Sequence, residues 1–296
     1  MVNLCLGGAQ IGTDYGVTNL SGSMSSEEAR LILKTSTEVG IYMIDTAGCY
    51  GHSESLIGQN SVKEVGVITK LDFRMHSNEA QDSYKMRMRN ELVKSLERLQ
   101  RESVTALLIH DCRVLSSDTI STAIGLLKEW KEEGLVLQLG CSLYELNDIE
   151  EGSCREMDIV QMPISVYDQR IKKYGWLKRL KDMGISIHAR SMYLQGLLAV
   201  RAERWPSWVD YRLKSHHEAF ERYAAKINQS TASLACAYIK SIEELDYVVV
   251  GVRSVNELNC LVGLWEQAHV PGQVRWDKWG VESDELVDPR KWRNTN

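Results

Sequence analysis

Residues Ile44 to Gly58 read I-D-T-A-G-C-Y-G-H-S-E-S-L-I-G, and the apolar run Ile41-Tyr42-Met43-Ile44 that leads into them predicts a short strand. The strand ends in an acid, Asp45. Five residues on comes Tyr50, then Gly51, then a helical pattern from Ser53 to about Gln59. A strand that hands a carboxylate and a phenol to a loop before a helix has the form of an α/β active-site mouth, because ligands in such folds gather at the carboxyl ends of strands.

The same alternation continues in both directions. Upstream, Leu4-Cys5-Leu6-Gly7-Gly8 predicts a first strand, followed by an irregular stretch through Asp14-Tyr15-Gly16 and from Asn19 to Gly22. Ser25 before Glu27-Glu28 and the apolar positions Ala29, Leu31, Ile32 and Leu33 predicts a capped helix to about Val39. Downstream, strands are expected at Val65 to Thr69 (ending at Lys70), Val104 to Ile109 (ending at His110), Val136 to Gly140, Asp158 to Met162, Ile185 to Ala189 and Tyr247 to Val250. Helices are expected at about Asp82 to Gln100, Asp118 to Glu133, Lys173 to Met183, His216 to Ile227, Thr231 to Ile239 and Val255 to Glu266. Eight alternations in 296 residues predict an α/β fold of the (β/α)8 TIM-barrel type, one domain covering residues 1–296. A doubly wound sheet is the competing topology, but Gly7, Gly8 and Gly12 lack the G-x-G-x-x-G spacing it would use for a dinucleotide.

Two stretches exceed a bare barrel. Gly196 to Ser215, with Trp205, Trp208 and Tyr211, forms either a lid or wall of the site or ordinary packing, and the Trp-rich tail Pro271 to Asn296 is expected to lie over the barrel surface.

Hydrophobic residues make up 44% and charged residues 25% of the chain, enough for a sizeable core. Four prolines and no Ser/Gly-rich tract leave no linker to divide it. A net charge of -5 without basic runs gives no electrostatic reason to expect nucleic acid or a membrane as partner. No basic leader and no run near 18 apolar residues is present, so a cytoplasmic protein is expected. Seven scattered cysteines without a C-x-x-C pair fit reduced thiols, with Cys49, beside Tyr50, the one expected to face the site. His52, His188, His216 and His217 lack companions at metal-ligand spacing, and no metal is expected.

Asp45, Tyr50, Lys70 and His110 fall at or just past the ends of the second, third and fourth strands, which converge on one face of a barrel. A phenol is a poor acid at neutral pH, and an adjacent ammonium is expected to lower its pKa toward the working range. A buried lysine needs an anion, which Asp45 is positioned to supply. His110 can orient a substrate oxygen or relay a proton. The set describes a proton donor to a carbonyl or acceptor from an alcohol, and it needs a redox cofactor.

The motifs I-D-T-A-G-C-Y-G-H-S-E with Gly58, V-I-T-K, L-L-I-H, G-C-S, I-V-Q-M-P and V-V-V-G-V-R-S-V-N-E-L, in this order over roughly residues 3 to 265, resemble the aldo-keto reductase superfamily. L-G-G-A-Q-I-G-T-D-Y-G-V-T-N and D-P-R-K-W look similar to bacterial members associated with surface-polysaccharide and sugar biosynthesis. The resemblance implies an NAD(P)(H)-dependent oxidoreductase acting on a small carbonyl or alcohol, a sugar or sugar nucleotide among the candidates, with oligomeric state left open.

It implies roles residue by residue. Asp45, Tyr50, Lys70 and His110 match the family tetrad, with Tyr50 as general acid in reduction and base in oxidation. Ser142 and Gln161 match residues that hold the nicotinamide carboxamide. Arg190-Ser191-Met192-Tyr193-Leu194-Gln195-Gly196-Leu197 stands where the family wraps the cofactor pyrophosphate, with Arg190 in place of an aromatic or small residue and Met192 in place of proline. Arginine can lie flat on a planar ring or pair with a phosphate. Gly251, Arg253 and Ser254 match the loop that holds an adenosine 2′-phosphate, at a helix N-terminus suited to an anion. Glu257 and Leu261 replace amides, and an acid near the ribose favours a 2′-hydroxyl. NADP(H) is therefore the first expectation and NAD(H) the alternative. Two other readings compete: a nucleotide-binding sensor or scaffold on the same barrel, and an aldolase with Lys70 as Schiff-base nucleophile.

Overall fold

Eight aliphatic runs form strands β1 (Asn3–Gly7), β2 (Met43–Asp45), β3 (Gly66–Leu71), β4 (Val104–Ile109), β5 (Val136–Ser142), β6 (Ile159–Pro163), β7 (Ser186–Arg190) and β8 (Tyr247–Val250). They pair in sequence order, all parallel, and close into a barrel. This computed structural model describes residues 2–17, 24–145, 148, 151–269 and 274–292. The expected irregular stretch from Asn19 to Gly22 lies outside the described residues, as do both ends of the expected tail.

Inside the barrel Ile68, Ala106, Leu108 and Ile159 form a small apolar plug against which Met43 packs. Side chains on a strand alternate faces, so the residue two positions beyond each plug residue points inward again, one layer higher. That step leads from Met43 to Asp45, from Ile68 to Lys70, from Leu108 to His110 and from Ile159 to Gln161. The barrel is therefore closed below by apolar side chains and capped at its carboxyl rim by a polar layer.

The outer ring comprises α1 (Ala9–Gly12), α2 (Ser26–Glu38), α3 (Ser53–Asn60), α4 (Gln81–Leu99), α5 (Ser117–Glu132), α6 (Glu151–Cys154), α7 (Arg170–Lys173), α8 (Trp176–Asp182), α9 (Tyr211–Lys226), α10 (Thr231–Lys240), α11 (Val255–Gln267) and α12 (Asp284–Val287). Their apolar stripes bury against the outward face of the strands, as with Leu92, Leu96 and Leu99 of α4. Ser25 caps α2 as its spacing predicts, its hydroxyl accepting from the Glu28 N–H.

Three sequence expectations need correction. The helix expected over Lys173 to Met183 starts later, at Trp176 (α8), because Gly175 takes a left-handed φ of 72° just before it, and a separate short helix, α7, ends at Lys173. The helix expected from His216 begins at Tyr211, where Asp210 caps it through the Arg212 N–H. Gly196 to Ser215 is not a free loop: it holds 3-10 turns at Leu197–Ala199 and Ala202–Arg204 and then enters α9. Trp205 in this segment is buried, stacked on His217 and donating to the Leu197 carbonyl. The tail does lie over the barrel, with Trp276 against Tyr238, Trp279 against Phe220 and Trp292 beside Trp208.

Candidate active site

The polar layer converges on Asp45. Lys70 Nζ donates to Asp45 Oδ1 at 2.5 Å and to the Thr46 carbonyl at 2.9 Å, and Gln161 Nε2 donates to Asp45 Oδ2 at 2.8 Å. Asp45 is 4% exposed, Lys70 2% and Gln161 1%. Both charges are thus out of water, and each carboxylate oxygen has a donor. The same Lys70 Nζ lies 5.3 Å from the centroid of the Tyr50 ring, and the His110 ring meets Tyr50 edge to face at 5.7 Å. The structure brings the four expected residues together.

The pKa of Tyr50 corrects one expectation. Burial pushes it well above the usual phenol range, and the Asp45 carboxylate adds to the rise while Arg190 opposes it. The ammonium that was to lower it is compensated by Asp45. Burial, with repulsion from Lys70, drops His110 to about 4, so its imidazole is neutral at physiological pH. The Cys49 thiol faces the site as expected, 3.4 Å from His110 Nδ1, and burial pushes its pKa up.

A cavity of about 390 Å³ opens beside this cluster. From Asp45, Tyr50 and Gln161 it passes Tyr15, Arg190, Ser191 and Gly196 and reaches Gly251, Arg253 and Glu257 at the N-terminal end of α11. Such a course, with polar groups at both ends, fits an extended dinucleotide, since ligand cavities are mostly apolar with a few placed polar groups.

Not every expected cofactor contact lines that cavity. Ser142 is buried at the end of β5 and Leu197 is fully buried in the core; neither borders it. Ser254 serves as the N-cap of α11, accepting from the Glu257 N–H at 3.0 Å. Glu257 accepts from the Arg253 backbone N–H and from its guanidinium, both at 2.9 Å. The chain's own carboxylate thus already engages the cation expected to meet a phosphate. Trp205, Trp208 and Tyr211 do not border the cavity either.

Sequence reading missed several supports. Glu54, inside the opening motif and 1% exposed, accepts from the Thr69 hydroxyl at 2.6 Å and from Arg98 Nε at 2.7 Å, tying α3 and α4 to the strand that carries Lys70. A carboxylate one residue after a helix start, on the face turned to the barrel, was the available signal. Gly12 is there for close approach, since a Cβ on it would meet the Tyr50 carbonyl oxygen at 1.8 Å. Tyr144 went unnoticed too: the Arg190 and Arg290 guanidiniums lie 4.1 and 3.4 Å from its ring centroid.

Comparison with known proteins finds relatives over most of the chain. L-galactose dehydrogenase from Arabidopsis thaliana is 26% identical over 254 residues, 80% of this chain and 77% of that protein. Aldo-keto reductase YhdN from Bacillus subtilis is 25% identical over 305 aligned positions, covering 94% of this chain and 85% of that one. Among solved structures, aldo-keto reductase AKR11C1 from Bacillus halodurans in its holo form superposes with a TM-score of 0.77 at 21% identity, over 97% of this chain and 94% of that one. The glycerol dehydrogenase AKR11B4 from Gluconobacter oxydans gives 0.66 at 20% identity, over 92% and 93%. At that identity the two structures speak for the fold. The model of the aldo/keto reductase family matches residues 3–274, and the chain therefore belongs to that family of oxidoreductases, which interconvert carbonyls and alcohols with a nicotinamide cofactor.

Proposed function

We propose that Tyr50 is the proton donor in the reduction of a sugar or sugar-derived carbonyl, with Lys70, Asp45 and His110 as its partners. The observation that carries this reading is one buried cluster: Lys70 joined to Asp45 at 2.5 Å and seated 5.3 Å from the Tyr50 ring centre, with a neutral His110 against that ring.

A reduced nicotinamide, when bound, supplies the hydride. As the carbonyl oxygen gains negative charge it takes the Tyr50 proton. The raised pKa of the free site keeps that proton on the phenol beforehand. The phenolate left behind faces the Lys70 ammonium, which is held in place by Asp45 and the Thr46 carbonyl. Gln161 holds Asp45 in turn. Neutral His110 has one N–H to offer; in the tautomer in which Nδ1 accepts from the Cys49 thiol, that proton sits on Nε2 to orient the carbonyl oxygen. Lys70 does not suit a Schiff-base role, since it is 2% exposed and committed to two acceptors.

The sugar assignment is supported by the bacterial polysaccharide-type motifs at both ends of the chain and by the likeness to an L-galactose dehydrogenase. For the cofactor, the Arg253–Glu257 pair supports NAD(H) ahead of NADP(H), reversing the order expected from sequence, because a 2′-phosphate would compete with a carboxylate already on that arginine. Seven unpaired cysteines support a reducing compartment, the cytoplasm. The test of the central assignment is Tyr50→Phe: turnover of the best sugar aldehyde with NADH or NADPH should fall at least about 100-fold, the usual lower bound for a lost general acid, with nucleotide affinity kept. Turnover at the wild-type rate would remove Tyr50 from the chemistry.

A further inference from the structure

We infer that Arg190 binds an anionic group carried by the substrate, a carboxylate or phosphate close to the carbonyl under reduction. The inference rests on the reductase reading above and names the class of substrate within it.

Arg190 ends β7 and borders the cavity together with Tyr50, Tyr15 and Gln161. Its position is fixed from two sides. Nη2 donates to the Leu143 carbonyl at 3.0 Å, and the guanidinium lies 4.1 Å from the Tyr144 ring centroid. The Arg290 guanidinium is 3.4 Å from the same centroid. Two groups that near to one ring centre cannot share a face without overlap, so Tyr144 is clasped between them. A third arginine, Arg113, stands 5.1 Å from that centroid.

The three arginines differ in one respect. Arg113 is paired with Asp111 and Arg290 with Asp288, each two residues back along the chain. The same Asp-x-Arg pairing recurs at Arg74, Arg170 and Arg212. Arg190 follows His188 and Ala189, and among the described residues no carboxylate lies within ion-pair distance of it. A half-buried guanidinium held at the edge of a cavity, with no carboxylate beside it among the described residues, presents its remaining N–H donors to whatever enters. A planar oxyanion satisfies them best.

Two anions could fill this role, the cofactor's pyrophosphate or a group on the substrate. Arg190 ends the strand beside β6, two residues past His188, the register partner of Gln161, and so borders the cavity at the end that holds Tyr50, Asp45 and Gln161, whereas the opposite end closes at α11 with Arg253 and Glu257. That placement favours the substrate.

The test compares matched aldehydes with NADH and NADPH: 4-carboxybenzaldehyde against benzaldehyde, succinic semialdehyde against butanal, and glyceraldehyde 3-phosphate against glyceraldehyde. In the wild type, kcat/KM should favour the charged member of at least one pair about tenfold or more, the scale of a charge-assisted contact. Arg190→Met should lower that charged-to-neutral ratio about tenfold, and Arg190→Lys should keep part of it. A wild-type ratio near one in every pair, or a ratio that Arg190→Met leaves unchanged, overturns the inference. If Arg190→Met instead weakens NADH and NADPH binding with the ratio intact, the anion is the cofactor's, and the substrate assignment is overturned. Failure of the reductase reading looks different: no nucleotide is oxidised with either member of any pair. In that case binding of the same aldehydes to the protein–NAD+ complex, read by tryptophan fluorescence, still decides, because tighter binding of the charged member that Arg190→Met abolishes supports the site and equal binding overturns it.

Discussion

Gln161 and Asp45, 116 residues apart in sequence, meet through a 2.8 Å hydrogen bond from Nε2 to Oδ2. The bond leaves the Asp45 carboxylate with one donor on each oxygen, Lys70 on the other side. Gln161→Ala should therefore strand a buried acceptor and cost about 2 kcal/mol of stability, within the usual range for an orphaned buried group, as read by urea unfolding. Turnover should fall with it, while the nucleotide Kd stays near the wild-type value. A variant of full stability whose only defect is nucleotide affinity would return Gln161 to the role of carboxamide ligand.

The pH dependence should differ between the two directions of reaction. His110, depressed by burial to about 4, stays neutral at any higher pH, and Tyr50, raised by burial, stays protonated through the neutral range. Reductive kcat/KM should then be level from about pH 5.5 to 8.5, without the limb near 6.5 that an ordinary histidine produces. With Tyr50 in its proposed role, alcohol oxidation starts from the phenolate, whose fraction grows about tenfold per pH unit below the Tyr50 pKa, so it should climb steadily with pH. A reductive limb centred at 6.5 would show that His110 titrates in the working enzyme.

On the proposed reading of the cofactor, the choice between NADH and NADPH turns on Glu257. The wild type should bind NADH more tightly than NADPH, and Glu257→Gln, which withdraws the carboxylate from Arg253, should tighten NADPH about tenfold while moving NADH much less. Calorimetric titration of both nucleotides checks this. A wild-type preference for NADPH would mean that the Arg253–Glu257 contact gives way to the phosphate.

Arg98→Met is expected to destabilise the fold by about 3 kcal/mol, because it leaves the Glu54 carboxylate buried with Thr69 as its remaining side-chain donor. Adding Glu54→Leu should recover most of the loss. If the single variant unfolds at the wild-type urea concentration, the pair is a rim contact.

Much of the barrel was legible because local pattern fixes it. β4 and β8 have the expected bounds, and the other strands lie within two residues of expectation, since each is a run of aliphatic residues closed by glycine or a polar residue. The tetrad was legible for the same reason: each member sits at or just past a strand end. What the sequence withheld depends on contacts between distant segments. Nothing local ties Tyr144 to Arg290, 146 positions away, or Gln161 to Asp45. The direction of the Tyr50 shift was misread because it depends on burial and on where Asp45 places the Lys70 charge. The start of α8 was placed three residues early because Gly175 takes a left-handed φ just before it, a matter of backbone freedom that the pattern of side chains does not register.

The pairing of β1 with β8 sets Asn3 beside Tyr247 and Leu6 beside Val250. The first and last strands of the barrel form its seam, and the cavity straddles it, with Gly7 and Gln10 on one side and Val250 to Arg253 on the other. During synthesis the opening strand leaves the ribosome long before its partner exists, at about 5–20 residues per second, and must wait with one edge unpaired. The cavity can acquire its second wall only after Val250 to Arg253 have emerged. A nascent or prematurely terminated chain that stops short of Tyr247 would display an open sheet edge and only part of a binding surface, a species for chaperones and proteases rather than for substrate.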